Sequence, residues 1–328
     1  MAGMTKTEMY YDVLDQGAAL IQKKEEKLYL EALAEAGEAV FQGRAPGNLE
    51  KEEEKQWNRL LNELPEASEK EEIRRAVQLA VLKGMKEAVQ PHHALTPDAV
   101  AVFAGFLMNE LTQKETDDPL LLWDPAAGAG NLMTACANQM TKDVHFIGAE
   151  PDETLMKLAF MNANLQGHHM DLFHQDSVSQ PAVDHVHGVV SDLPLGYYPD
   201  DETASGFATA ADEGHTYVHH LLMEKAVRHV REGGFLVFLV PNSLFQSEQA
   251  PKLHPVIKEQ ASVYALLQLP STMFKTQDAG KSMLILRKTK AGIVPPKQAL
   301  LAELPSFTRQ EALADMTRQI SDWIREHV

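Results

Sequence analysis

The sequence predicts an α/β protein in which a helical N-terminal segment precedes a doubly wound, mostly parallel sheet. Through residues 1–90, apolar residues recur three and four positions apart, as in "LYLEALAEAGEAVFQ", which is the period of an amphipathic helix. From about residue 91, short apolar runs alternate with helical stretches, an order that favours parallel strands joined by helices. A pair of glycines, Gly128 and Gly130, follows the first apolar run, where such folds bind ligands.

The first 90 residues are expected to form a helical N-terminal domain. Turn signals in "GRAPGN" and at Pro65 divide it into separate helices. In "EKEEIRRAVQLAVLKGMKEAV" the acids come first and the bases come later, which complements the helix dipole.

Residues 91–290 are expected to form the α/β domain, and residues 291–328 a C-terminal helical tail that contains the amphipathic stretch "RQEALADMTRQISDWIREHV". The last two predicted strands are joined by a loop too short for a parallel crossover, so this pair should be antiparallel. The apolar runs predict strands at residues 120–124, 144–150, 185–192, 234–241, 263–270 and 282–288.

Composition limits the classes of protein and partner. The chain of 328 residues has no apolar run of about 18 residues and no signal-peptide core, so we expect a cytoplasmic protein without a membrane anchor. The single cysteine, Cys136, excludes an internal disulfide, and the adjacent histidine pairs lack zinc-site spacing, so no metal is expected. The net charge of −17 opposes binding to phosphate backbones, although a local basic face in the last third stays open.

The stretch "LLLWDPAAGAGNLM" has the pattern of a ligand-binding turn. Asp124 ends an apolar strand, and the two glycines then allow a ligand to approach the backbone closely. Met133 stands where a third glycine would complete a dinucleotide fingerprint. Glu150 ends the next strand, where an acid can bind ribose hydroxyls, and Asp176 falls where a third strand would end. Together these positions predict a site for an adenosine-bearing ligand.

From these residues a family resemblance follows. "DPAAGAG" resembles the first motif of class I S-adenosylmethionine-dependent methyltransferases, and more narrowly that of adenine-specific N6 DNA methylases and type I restriction modification subunits. "HHALTPDAV", "GAEPDETLMKLAFMNANLQGH" and "GGFLVFLVPNSLF" are similar to further motifs of that family, in the same order along residues 90–290.

The resemblance implies a Rossmann-like, seven-stranded doubly wound sheet with S-adenosylmethionine as cofactor. It also implies a set of cofactor-binding residues in the turns that follow the strands and in the segment before the first strand. These are Thr96, Pro97, Asp124, Pro125, Ala126, Gly128, Gly130, Asn131, Glu150, Pro151, Asp176 and Ser177.

The catalytic motif of the family is altered in "VVSDLPLGYYP". The family's fourth strand ends in Asn/Asp/Ser-Pro-Pro-aromatic, whereas this chain has Asp192, Leu193, Pro194 and Leu195. The resemblance implies that Asp192 accepts hydrogen bonds from the amine to be methylated and that Pro194 fixes the turn.

Because Leu195 replaces the aromatic residue, Tyr197 or Tyr198 is a candidate to stack on a flipped base, and Tyr197 joins Asp192 and Pro194 as a predicted catalytic residue. The acidic segment that follows, "DDETASGFATAADEGHTY", is expected to be a mobile loop over the site.

Several functions stay open at this point. N6 methylation of adenine in DNA is the leading expectation, and methyl transfer to RNA, protein or a small molecule is the first alternative. A module that binds the cofactor or a partner without turnover is the second. A nicotinamide-dependent oxidoreductase is the third, disfavoured by the missing glycine. A DNA methylase without a target-recognition domain after residue 290 would need a specificity partner, and a homodimer is also open.

Overall fold

The computed structural model describes residues 3–87, 95–180 and 183–328. The expected boundary at residue 90 and the histidine pair at 92–93 lie outside the described residues. No helix of the described ranges is long and apolar enough to cross a membrane.

Helices build the N-terminal segment and both faces of the sheet. α1 begins with a capping box, in which the Thr5 hydroxyl accepts from the Glu8 amide and the Glu8 carboxylate accepts from the Thr5 amide. The helices are α1 Lys6–Glu25, α2 Tyr29–Gln42, α3 Lys51–Leu61, α4 Lys70–Glu87, α5 Asp98–Thr112, α6 Asn131–Gln139, α7 Glu153–Leu165, α8 Asp201–Ala204, α9 Val218–His229, α10 Ala250–Gln260 and α11 Gln310–His327.

One sheet of eight strands runs through the α/β part. Its order is β3-β2-β1-β4-β5-β7-β6-β8, and β7 is antiparallel to both β5 and β6. The short connecting loop predicted the antiparallel pairing of β6 with β7. The strands are β1 Leu120–Asp124, β2 Val144–Glu150, β3 Met170–His174, β4 Val186–Asp192, β5 Val230–Pro241, β6 Ala261–Gln268, β7 Lys281–Lys288 and β8 Leu300–Glu303.

Residues 291–328 are less uniform than a helical tail. β8 pairs in parallel with β6 and adds an eighth strand to the seven that the resemblance implies. Its sequence, "LLAE", is too short to stand out as a strand, and it is the pairing with β6 that makes it one. α11 then buries Ile320 and Ile324 in the core on the α5 side of the sheet.

Both faces of the sheet are covered, which is why its central strands are continuously apolar rather than alternating. α5, α6, α7 and α11 contribute to the core on one face, and α9 and α10 contribute to the core on the other. The helices that follow β1 and β4 therefore leave the sheet toward opposite faces.

The helical N-terminal segment packs on the α/β part from outside. Its core includes Leu155, Leu158 and Met161 of α7, together with Ala129 of the glycine turn. α2 lies against α7 so closely that a Cβ at Gly37 would fall 2.1 Å from the sulfur of Met161. The helical segment is thus joined to the layer that carries the glycine turn.

The close approach of α5 and α6 predicts that an added methyl group at Gly105 lowers the stability of the fold. A Cβ at Gly105 would lie 2.8 Å from the Cα of Cys136, a backbone atom that cannot move without shifting α6. Although alanine favours helix by about 1 kcal/mol over glycine, we expect Gly105→Ala to lower the free energy of unfolding by about 1–3 kcal/mol through overpacking.

Urea unfolding of Gly105→Ala and of the control Gly47→Ala checks this. A Cβ at Gly47 would meet no atom within 4 Å. A stability of Gly105→Ala equal to or above that of the parent would contradict the packing of α5 on α6.

Candidate functional site

Acidic side chains converge where the parallel strands β1, β2 and β4 end, with a fourth acid just beyond β3. Asp124, Glu150 and Asp192 are the last residues of β1, β2 and β4, and Asp176 lies two residues after β3. The strand order reverses between β1 and β4, so a crevice opens there at the carboxyl edge of the sheet. This is the position at which α/β sheets bind ligands.

The turn after β1 is built on two glycines with positive φ. Gly128 has φ +54° and Gly130 has φ +75°, a region that favours glycine. A Cβ at Gly130 would approach Ala159 of α7 to 3.2 Å, whereas a Cβ at Gly128 would meet no atom within 4 Å. Gly130 therefore serves the packing of the turn on α7, and Gly128 leaves open space on the ligand side.

Asp124 lies buried beneath this turn. One carboxylate oxygen accepts from the Ala126 amide at 3.0 Å and from the Ser191 hydroxyl at 2.6 Å. The other oxygen is buried without a partner among the described residues. Burial raises the pKa of Asp124 to about 7, and the carboxylates of Asp192 and Glu150 act in the same direction.

Glu150 connects the first two strand ends. One of its carboxylate oxygens accepts from the Gly128 amide of the first turn at 2.9 Å, and the other accepts from the Asp152 amide at 3.0 Å. These two bonds fix the orientation of the carboxylate at the end of β2.

Tyr198, which the sequence suggested as a candidate to stack on a base, instead contacts the acid that follows β3. The Tyr198 hydroxyl donates to Asp176, and the Val178 amide donates to the same carboxylate at 2.8 Å. Burial, followed by this hydrogen bond, raises the pKa of Tyr198. Ser177 is buried beside them, and its hydroxyl has no partner among the described residues.

The turn after β4 holds the predicted acceptor residue between two donors. The Thr96 hydroxyl donates to one oxygen of Asp192 at 3.0 Å, and the Lys281 ammonium donates to the other at 2.6 Å. The expected Thr-Pro segment thus reaches the fourth strand.

Sequence reasoning missed Lys281. It is the first residue of β7, opposite Pro241 at the end of β5, so the antiparallel pairing of β7 brings it to the carboxyl edge. No local signal in the sequence indicated it, because the predicted strand begins at residue 282 and the pairing of β7 with β5 was not predicted.

The rest of the altered motif divides between core and surface. Leu193 is buried, whereas Pro194, Leu195 and Tyr197 are exposed. The Tyr197 ring stacks on Tyr217 with centroids 5.0 Å apart, and 55% of Tyr197 is exposed. Tyr197 therefore presents an exposed aromatic ring in the segment that follows Asp192, whereas Tyr198 donates to Asp176.

The acidic segment after this motif is anchored, which differs from the mobile loop expected. The buried Glu224 of α9 accepts from the amides of Ala208 and Thr209, at 2.9 and 2.8 Å, and from the Thr209 hydroxyl at 2.7 Å. Gln249 accepts from the Tyr217 amide and donates to the His215 carbonyl. These partners lie far along the chain, so local composition did not indicate them.

Within the described ranges, no group of three or more histidine, cysteine, aspartate or glutamate residues could hold a metal. His219 and His220 are buried beside Tyr217, and burial lowers the pKa of each imidazole, to about 3 and about 4. Burial also raises the pKa of the Cys136 thiol. These residues are neutral at physiological pH.

The chain belongs to the N-6 DNA methylase family, which matches residues 93–322. Residues 8–85 match the YtxK N-terminal helical domain. Both matches agree with the two-part organisation of the fold, and the N-6 DNA methylase match extends through β8 and most of α11.

Individual proteins resemble the chain over most of its length. The uncharacterised protein YtxK of Bacillus subtilis (strain 168) is 41% identical over 323 residues, covering 96% of this chain and 97% of that protein. A Listeria monocytogenes structure, assigned to the class I S-adenosylmethionine-dependent methyltransferases, is 39% identical with a TM-score of 0.88, covering 97% and 99%. A type I restriction modification subunit of Vibrio vulnificus shares the fold, with 16% identity, a TM-score of 0.64 and coverage of 88% and 66%.

The protein is therefore a class I methyltransferase with S-adenosylmethionine as its cofactor, as the sequence predicted. The site fits this group on three counts. Open space lies over Gly128, buried oxygens of Asp124 and Ser177 lack partners among the described residues, and the four carboxylates suit a cationic sulfonium.

The buried carboxyl of Asp124 predicts a pH-dependent stability. Its pKa in the folded protein, about 7, exceeds the ordinary value of 3.8. The folded state thus holds a proton that the unfolded chain releases between about pH 4 and pH 7, and Asp124 stabilises the fold less as pH rises through this window. Asp124→Asn removes the titration. The stability of the parent relative to Asp124→Asn should fall by up to about 1.4 kcal/mol per pH unit.

Urea unfolding from pH 4 to pH 8 measures this difference, with the exposed Asp315→Asn as control. A difference between parent and Asp124→Asn that stays constant across the series would show that Asp124 is not held protonated.

Proposed function

We propose that this protein transfers a methyl group from S-adenosylmethionine to the exocyclic amine of adenine in DNA, with Asp192 orienting the nitrogen. One observation carries the proposal: Asp192 ends β4 beside the glycine turn, with Thr96 and Lys281 each donating to one of its oxygens. A carboxylate held in this way has a defined direction in which to accept from a substrate N–H.

The cofactor supplies an activated methyl group, so the protein's part is to align the acceptor and exclude water. Each Asp192 oxygen keeps a free lone-pair position beside the bond that it already accepts. An amine that donates to one of these positions has its own lone pair directed away from the carboxylate. Pro194 restricts the backbone of the turn, which holds the carboxylate at a fixed distance from the glycine turn.

We further propose the roles of the cofactor residues. Glu150 accepts from the ribose hydroxyls, and Asp176 and Ser177 contact the adenine end. Thr96, Pro97 and Asn131 border the methionine end. The turn from Asp124 to Gly130, with Pro125 and Ala126, lies under the sulfonium, where the open space at Gly128 supports close approach.

Adenine as acceptor is supported by the family and by an aromatic surface. A base must leave the duplex to be methylated, and such enzymes hold it by stacking. Leu195 cannot stack, but the exposed Tyr197 ring, stacked on Tyr217, offers a π-face in the segment that follows Asp192. Tyr197 thus takes the role of the missing aromatic residue.

Recognition of DNA is proposed to need a further protein. The segment beside the site carries several acids, including the exposed Asp200, Asp201 and Glu202, which repel phosphates. Structural neighbours include modification subunits of type I restriction systems. A specificity partner that supplies the phosphate contacts is consistent with both facts.

A second candidate is methyl transfer to an acceptor other than DNA. The Lys281 ammonium beside Asp192 favours it, because a positive charge there would select an amine that carries a neighbouring anionic group.

Transfer of labelled methyl from S-adenosylmethionine into unmethylated DNA, RNA and cell extract tests the proposal. We expect label in DNA adenine, at a rate that rises when cell extract supplies the proposed partner, and Asp192→Ala should lower the rate at least about 100-fold because the amine is no longer oriented. Binding of S-adenosylhomocysteine to Asp192→Ala should stay within about threefold of the parent, since Asp192 faces the acceptor.

Label that persists in Asp192→Ala would refute the role of Asp192. Label in RNA or in a small molecule alone would favour the second candidate.

The stacking role of Tyr197 gives a separate prediction. Removing its ring in Tyr197→Ala should raise the KM for DNA about five- to 100-fold, the equivalent of one base stack. Tyr197→Phe keeps the ring and should match the parent. Steady-state kinetics on a duplex substrate measure both variants, and an unchanged KM in Tyr197→Ala would exclude stacking at this position.

A further inference from the structure

A fully buried arginine joins the helical segment to the glycine turn. Arg74 lies on α4, and its guanidinium has no exposed surface. It donates to Glu71 on its own helix through Nε at 2.7 Å and Nη2 at 2.6 Å, to Asp98 at the start of α5 and, through Nη1 at 2.8 Å, to the Oδ1 of Asn131. One side chain thus contacts three helices.

Two neighbouring carboxylates compensate the charge of Arg74. Burial opposes a charged guanidinium, but the hydrogen bonds from Arg74 to Glu71 and Asp98 outweigh this cost and raise the pKa of Arg74. The carboxylates of Glu71 and Asp98 neutralise the guanidinium charge. The bond to the neutral Asn131 amide therefore orients that amide and adds no charge compensation. A planar fork with five donors can make such a set of bonds, and a lysine cannot.

The bond to Asn131 fixes the amide of the first residue of α6. Because Oδ1 of Asn131 faces Arg74, its Nδ2 faces the Thr96 carbonyl and donates to it at 3.0 Å. The Thr96 hydroxyl then donates to Asp192. A continuous chain of hydrogen bonds therefore runs from α4 through Asn131 and Thr96 to the end of β4.

We propose that Arg74 is a positioning residue for the transfer end of the cofactor site, so that the helical N-terminal segment is part of that site. Arg74 orients Asn131, and Asn131 holds the Thr96 segment against Asp192. The chain of hydrogen bonds ends at β4. Glu150 ends β2 and Asp176 follows β3, and both strands lie on the other side of β1. Disturbing Arg74 should therefore affect the amino-acid end of the cofactor and spare its adenosine end.

Two ligands separate the two ends. S-adenosylhomocysteine carries both, and 5′-methylthioadenosine lacks the amino-acid end. In Arg74→Lys, calorimetry should give about tenfold weaker binding of S-adenosylhomocysteine, the scale of one hydrogen bond to a charged group. The affinity for 5′-methylthioadenosine should change less than about twofold.

The neighbouring Arg75→Lys is the matched control. Arg75 is exposed, and its ion pair is with Glu71 at 3.2 Å, so both affinities should equal those of the parent.

A second variant removes the link from the other side. Asn131→Asp keeps an oxygen for Arg74 but loses the amide donor to the Thr96 carbonyl, so it should show the same selective loss with the fold retained. Unchanged affinities in Asn131→Asp would overturn the proposal even if Arg74→Lys does not fold.

Equal losses for both ligands would mean that Arg74 only supports the fold, and unchanged affinities would also overturn the proposal. Neither result depends on the methyl acceptor. A failure of the DNA assay would therefore leave this test intact, and a failure here would leave the DNA assay intact.

Discussion

The parallel pairing of β1 with both β2 and β4 is the constraint on which the rest of the structure depends. β1 lies between the two, and the helices that follow β1 and β4 leave toward opposite faces. The crevice this opens is lined by whatever residues end the strands, because parallel strands bring their carboxyl ends to one edge. Four carboxylates lie at that edge, and the chemistry of the protein follows from how each is held.

Each carboxylate is stabilised by donors from an element other than its own strand or from the turn that follows it. Glu150 accepts backbone amides, Asp176 accepts a tyrosine hydroxyl, and Asp192 accepts a threonine hydroxyl and an ammonium. Asp124 is fully buried, and burial raises its pKa to about 7. The sheet therefore concentrates negative charge at one edge. This charge attracts a cationic cofactor and repels the phosphate backbone of a nucleic acid.

The helical N-terminal segment belongs to this arrangement rather than standing beside it. Its core includes residues of α7 and the glycine turn, and Glu71 of α4 also accepts from Asn138 near the end of α6. α4 therefore contacts both ends of the helix that begins at the cofactor turn. A helical segment attached only by a linker would not make these contacts with α6.

Much of this could be predicted from the sequence, because local patterns carry it. The apolar runs predicted strands that end at Asp124, Glu150 and Asp192, and β1, β2 and β4 end at these residues. The spacing of Gly128 and Gly130 predicted the turn between β1 and α6.

What escaped prediction depends on contacts between distant residues. Lys281 reaches Asp192 through strand register, Tyr198 reaches Asp176 across the edge of the sheet, and Arg74 reaches Asn131 from another helix layer. β8 escaped because its four residues become a strand only by pairing with β6.

A crystal structure of the complex with S-adenosylhomocysteine would test the central claim most directly. We expect the ribose hydroxyls on Glu150, the adenine beside Asp176 and the sulfur over the Gly128 turn, with its open side facing Asp192. A ligand bound elsewhere, or one whose sulfur points away from Asp192, would contradict the assignment of this edge as the site of methyl transfer.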